Sequence, residues 1–132
     1  DNPEVGLGKC GLLKNSMPLG AFAEEVRRRL RTDYVRVVGN LKEKVESVAV
    51  IGGSGGGDLE RVPSNIDVVV TGDVEYHEAL DARQRGLAIV DAGHEITERP
   101  VVPVLAGYLR KRCKGLRVYT HPEKQLFKMV TK

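Results

Sequence analysis

Three short apolar runs, each followed at once by unusual polar chemistry, constrain this chain more than any other feature: "VAVIGGSGGG", "VVVTGDVEYH" and "AIVDAGHEITE". Such runs, bounded by glycine and aspartate, read as strands buried on both faces. From residue 45 onward, strands of this kind alternate with segments of helical period. That order predicts an α/β fold with a mainly parallel or mixed sheet flanked by helices. The 132 residues suit a single domain and bury a real core. In an open α/β sheet, ligands bind beyond the carboxyl ends of the strands. If the three strands are parallel and adjacent, their ends line one rim.

The remaining elements follow from local signals. "EVGLGKCGLL" reads as a glycine-punctuated strand. "SMPLGAFAEEVRRRLRT" reads as a helix with Ser16 as N-cap and Pro18 in its first turn. Its apolar positions Leu19, Phe22, Ala23, Val26 and Leu30 keep the helical period. "YVRVVG" and "KVESVAVIGG" are predicted strands, and "GDLERV" a short helix stopped at Pro63. "IDVVVTGD" is a buried strand, and "VEYHEALDARQRG" a helix closed by Gly86. "LAIVDAG" is a strand. "EITERPVVPVLAGYLRKRCKG" reads as a helix disturbed by Pro100 and Pro103 and ended by Gly115. "LRVYT" is the last predicted strand.

Composition excludes several functions. The net charge is +3, and much of the excess sits in "RRRLR" and "LRKRCK", which read as solvated helix faces. Aromatic residues are 5% with no Trp, so a stacking platform for nucleic acid is not expected. Cys10 and Cys113 form no CxxC pattern, which suits a reduced, cytoplasmic protein. No apolar run approaches the roughly 20 residues of a membrane span, and "DNPEVGLGKC" lacks the signal-peptide pattern. The first residue is not Met, as in a trimmed or processed chain.

The three strand ends each allow two readings. Gly52, Gly53, Gly55, Gly56 and Gly57 let the backbone approach a ligand or another chain segment. The dinucleotide pattern GxGxxG fails because its last glycine would fall on Asp58. The Walker pattern fails because Asp58 stands where Lys should follow Gly57. Gly53, Gly55 and Gly57 match the shorter GxGxG of methyltransferases, but the usual upstream acid is replaced by Ile51. A tight turn explains the glycines equally well. Asp73, His77 and Asp81 would share a helix face if all three were helical, and a carboxylate there could orient the imidazole. Alternatively, Asp73 caps the helix and His77 is solvated. His94 and Glu98 are four apart, so one helical turn presents an imidazole and a carboxylate together. Zinc, iron and manganese accept such pairs. "HEITE" is not the HExxH of zinc proteases, because Glu98 replaces the second His. A polar helix start is the plain alternative.

"TGDVEYHEALDARQRGLAIVDAGHEITERP" resembles the C-terminal signature of the NIF-three-like proteins. These dinuclear-metal-centre proteins are also named GTP cyclohydrolase I type 2 homologues. "VGLGKCG", "VRVVG" and "VAVIGGSGG" occur in the same order as the family's corresponding segments, so the resemblance runs from about Val5 to about Arg117. It implies an α/β fold of two related halves, a ring-shaped homohexamer and a two-metal site between the halves. It further implies that His94 and Glu98 are the C-terminal half's metal ligands, with Glu98 bridging two divalent ions (zinc, iron or manganese). His77 matches a pocket histidine suited to proton transfer. Gly52, Gly53, Ser54, Gly55 and Gly56 match the glycine loop beside the pocket, and Asp73, read from its place at a neighbouring strand end, is counted with the pocket.

The family's N-terminal half supplies adjacent histidines and a later aspartate. Neither is found here, so this chain corresponds to the C-terminal half with the other metal-ligand half absent. The end, "THPEKQLFKMV", also departs from the family's acidic segment. The resemblance therefore implies a metal-dependent hydrolase of nucleotide-like substrates in the full-length protein, and an isolated chain that is inactive and binds metal weakly or not at all. Two other readings stand beside it: an interaction or assembly module with a vestigial metal site, and a nucleotide- or S-adenosylmethionine-binding domain using Gly53, Gly55 and Gly57. On the metal reading, His94 and Glu98 are expected to face the same cleft as His77 and the glycine loop.

Overall fold

The computed structural model describes residues 6–121. Its elements in chain order are β1 (Lys9–Pro18), α1 (Leu19–Leu30), β2 (Arg36–Val38), β3 (Lys44–Ser54), a 3-10 helix (Gly56–Arg61), β4 (Val68–Gly72), α2 (Tyr76–Gln84), β5 (Ala88–Asp91), α3 (His94–Glu98) and α4 (Val101–Arg112). The strands form one five-stranded sheet in the order β1-β3-β4-β5-β2. The three apolar runs form its centre, with β3, β4 and β5 mutually parallel and adjacent. The edge strands β1 and β2 run antiparallel to their neighbours. The sheet is therefore mixed with a parallel middle, an α/β architecture as the sequence predicts.

The burial pattern explains the middle. Every residue of β4 and β5 is buried. Successive side chains on a strand point to opposite faces, so a continuous apolar run requires cover on both. On one face Leu19, Phe22, Ala23 and Val26 of α1 pack with Val48, Val68, Val70 and Val90. On the other, Leu59, Val62, Val74 and Ala82 pack with Ala49, Ile51, Val69 and Ile89. The α1 periodicity holds, with Leu30 partly buried against the first cluster.

Four local expectations need correction. Ser16 does not cap α1, because it lies inside β1, which sits further along the chain than "EVGLGKCGLL" suggests. Pro18 occupies the N-cap position, and the amides of Leu19 and Gly20 donate to the Glu43 and Leu41 carbonyls at 2.8 and 2.9 Å. A neighbouring loop thus satisfies the helix start in place of a side chain. The segment after Gly93 is two helices, not one disturbed helix. Pro100 stands at the N-cap of α4 and Pro103 in its first turn, where a missing N–H costs no helical bond. "LRVYT" is not a strand. Arg110 Nη2 donates to the Val118 carbonyl at 2.9 Å, which ties this segment back to α4 and not to a sheet edge. Asp73 lies outside α2, so it cannot share a helix face with His77 and Asp81. Among the described residues, no helix is long and apolar enough to cross a membrane.

Candidate functional site

The site is built at the carboxyl ends of β3, β4 and β5. Gly72 ends β4, and a Cβ there would collide with the Gly93 carbonyl carbon and the His94 amide nitrogen. Its bare backbone lets the start of α3 lie directly across the strand end. Asp91 ends β5 and is 5% exposed. Its Oδ1 accepts the Gly93 N–H at 2.9 Å, and its Oδ2 accepts the Val74 N–H at 3.1 Å. Arg36 Nη2 from β2 also donates to that Oδ2 and to the Val74 carbonyl. One buried carboxylate therefore fixes the turn after β4, the start of α3 and an edge strand together.

On this frame α3 presents one turn of chemistry. His94 Nε2 lies 3.4 Å from Glu98 Oε1. Its other ring nitrogen, Nδ1, lies 3.4 Å from Asp73 Oδ2. The side chains of these three residues are about half exposed, at 47%, 55% and 58% for His94, Glu98 and Asp73. Opposite them stands Gly53, with φ +77. A Cβ at Gly53 would come within 2.6 Å of Glu98 Oε1 and 3.3 Å of His94 Nε2. The Gly53 N–H donates to Thr97 Oγ1 at 2.9 Å, and that hydroxyl faces the Gly93 and His94 carbonyls at 3.0 and 2.9 Å. Thr97 thereby clips the glycine segment to α3.

The rest of the glycine stretch is occupied by the protein itself. Gly52, Gly53 and Ser54 belong to β3, where the register to β4 shifts between Val50 and Ser54. The Gly55 N–H donates to the buried Thr71 hydroxyl at 3.1 Å, and a Cβ on Gly55 would strike that hydroxyl. The space beside Gly56 is filled by the Glu78 carboxylate. Gly57 has open space around it and begins no α-helix, since a 3-10 helix follows Gly55.

The structure thus joins His94, Glu98, Asp73 and Gly53, and it sets His77 differently. His77 lies on α2 with Nδ1 3.4 Å from Glu75, and its side chain is 70% exposed. Glu75, not Asp73, caps α2, through a reciprocal capping box with Glu78. A cavity of about 630 Å³ lies elsewhere, between Val38–Asn40 and the α2 side chains Tyr76, Leu80 and Arg83. It lacks the convergent imidazole and carboxylates, so the strand-end cluster is the better candidate site. Sequence reasoning missed Thr97 and the full role of Asp91. The Gly-Asp after "VVVT" was a legible signal for a tight approach, but its partner was not.

Among the described residues, no group of three or more His, Cys, Asp or Glu is arranged to hold a metal ion. His94 Nε2 and Glu98 Oε1 offer two donors on one face, with Gly53 keeping the space between them clear. Two fall short of the three or four usual for a protein metal site.

A family model described as Duf34/NIF3 (NGG1p interacting factor 3) matches residues 2–125. The Halalkalibacterium halodurans protein named GTP cyclohydrolase 1 type 2 homolog is 43% identical over 93 residues, 70% of this chain and 25% of that protein. The Listeria innocua protein of the same name is 37% identical over 110 residues, 83% of this chain and 28% of its own length. A solved Bacillus cereus protein related to NIF3 superposes with TM-score 0.81 and 38% identity, over 95% of this chain and 36% of that one. The chain spans about a quarter of the length of the curated relatives it matches.

Proposed function

From the premise that this chain belongs to the Duf34/NIF3 family, we propose that it supplies His94 and Glu98 to a divalent-metal site of a hydrolase. The observation that carries this reading is the cradle: an imidazole Nε2 and a carboxylate oxygen 3.4 Å apart, facing a glycine whose Cβ would fill the space between them. A polar helix start does not require that clearance. His94 would bind through Nε2 and Glu98 through Oε1. When bound, zinc, iron or manganese supplies Lewis-acid polarisation and an acidified water. Asp91 and Thr97 hold the two donors in register with the glycine segment.

The name shared by the relatives favours a nucleotide-like substrate. The proton-transfer role of His77 and assembly into a homohexamer rest on the resemblance, without a contact in this chain. A zinc titration against a competing chromophoric chelator tests the site. The isolated chain is expected to bind weakly, and both His94→Ala and Glu98→Gln to weaken it at least about tenfold further, as loss of one donor of two requires. Equal zinc affinity in wild type and His94→Ala would sink the reading.

A further inference from the structure

A neutral imidazole carries one N–H, and its second nitrogen is then an acceptor or metal ligand. In His94 the two nitrogens meet different groups. Nδ1 faces Asp73, while Nε2 faces Glu98 and the clearing at Gly53. The two nitrogens lie on different sides of the ring, and among the described residues Asp73 does not join His94 and Glu98 as a third metal donor. We infer that Asp73 is a positioning residue. Its carboxylate accepts the Nδ1 proton and leaves the Nε2 electron pair directed into the cradle.

Two further observations support this role. Asp73 has φ +54, one of two non-glycine residues with positive φ among those described. Glycine adopts that conformation at least cost. An aspartate there carries backbone strain, and its carboxylate meets the imidazole. The flanking residues are also fixed. Gly72 admits the α3 backbone, and Asp91 holds the Val74 and Gly93 amides on either side of the contact. The backbones that carry Asp73 and His94 are therefore held by the frame.

The use of this arrangement rests on the metal reading above, but its test does not. Because Glu98 lies as close to Nε2 as Asp73 does to Nδ1, nitrogen-15 NMR of the His94 ring is recorded on the metal-free chain carrying Glu98→Ala, at a pH above the histidine range. With Asp73 in place, that chain is expected to show the Nδ1–H form. Asp73→Asn keeps a carbonyl acceptor and is expected to retain that form. Asp73→Gly is expected to switch the ring to the Nε2–H form that free imidazoles favour, while raising the melting temperature by relieving the positive φ. An Nε2–H ring with Asp73 in place and Glu98 removed, or a ring indifferent to Asp73→Gly, overturns the proposal. Zinc titration adds a second arm, in which Asp73→Gly should weaken binding about 10–100-fold if orientation matters. A tautomer switch without zinc binding supports Asp73's role and removes the metal reading. Zinc held through His94 with an indifferent tautomer does the reverse.

Discussion

Asp91 accepts from the Gly93 and Val74 amides and from Arg36 while almost wholly buried. Its removal leaves two amides without their acceptor, and each such loss costs about 1–3 kcal/mol. Asp91→Ala is therefore expected to lower stability by about 2–4 kcal/mol, read from the urea midpoint. A loss under about 0.5 kcal/mol, the scale of a plain surface change, would mean that solvent replaces the carboxylate. At this scale the sequence was legible in part. The four-residue spacing of His94 and Glu98 fixed their common face, because that relation is local to one turn. The Asp73–His94 contact was not legible, because it depends on β4 and β5 lying side by side.

The entry to β3 and β4 is tied by Asp67, whose Oδ2 accepts the Glu46 and Ser47 amides at 2.8 Å each. The Ser47 amide is the main cause that holds the Asp67 carboxyl below its ordinary range. Partial burial opposes it, and the Glu46 amide and Ser47 hydroxyl add to it. A carboxyl with a depressed folded pKa contributes stability above its unfolded pKa of about 3.9, and loses that contribution as pH falls through the folded value. Asp67→Asn is expected to be less stable than wild type at pH 7, with the difference shrinking below about pH 4. Thermal melts at the two pH values check this, and a constant difference would refute it. Elements with long periodic signals, such as α1 and β3 to β5, were readable because burial repeats along them. "LRVYT" misled, because strand propensity needs an edge within reach. α4 tethers that segment through Arg110.

Across the whole molecule, one sheet carries two apolar layers, and β5 contributes to both through Ile89 and Val90, each 0% exposed. Cutting Ile89 to Ala is expected to cost about 2–5 kcal/mol through lost burial and the cavity left behind. A single urea transition with an unchanged slope would show that the two layers unfold together. Two separated transitions would show that they do not. α4 contributes little to either layer, since Ala106 is its one buried residue while Val101, Val104, Leu105 and Tyr108 are 54–71% exposed.

The sequence by itself determined the three buried apolar strands, the glycine-rich strand end and the His94–Glu98 face. Each is encoded within a few consecutive residues, by period or by the absence of a Cβ. Only the tertiary structure decided that Asp73 meets His94 and not His77, and that Asp91 is a buried tie. It also decided that the 41–43 loop caps α1. Those relations join residues far apart in the chain. They depend on strand order and register, which many sequences with the same local pattern leave open.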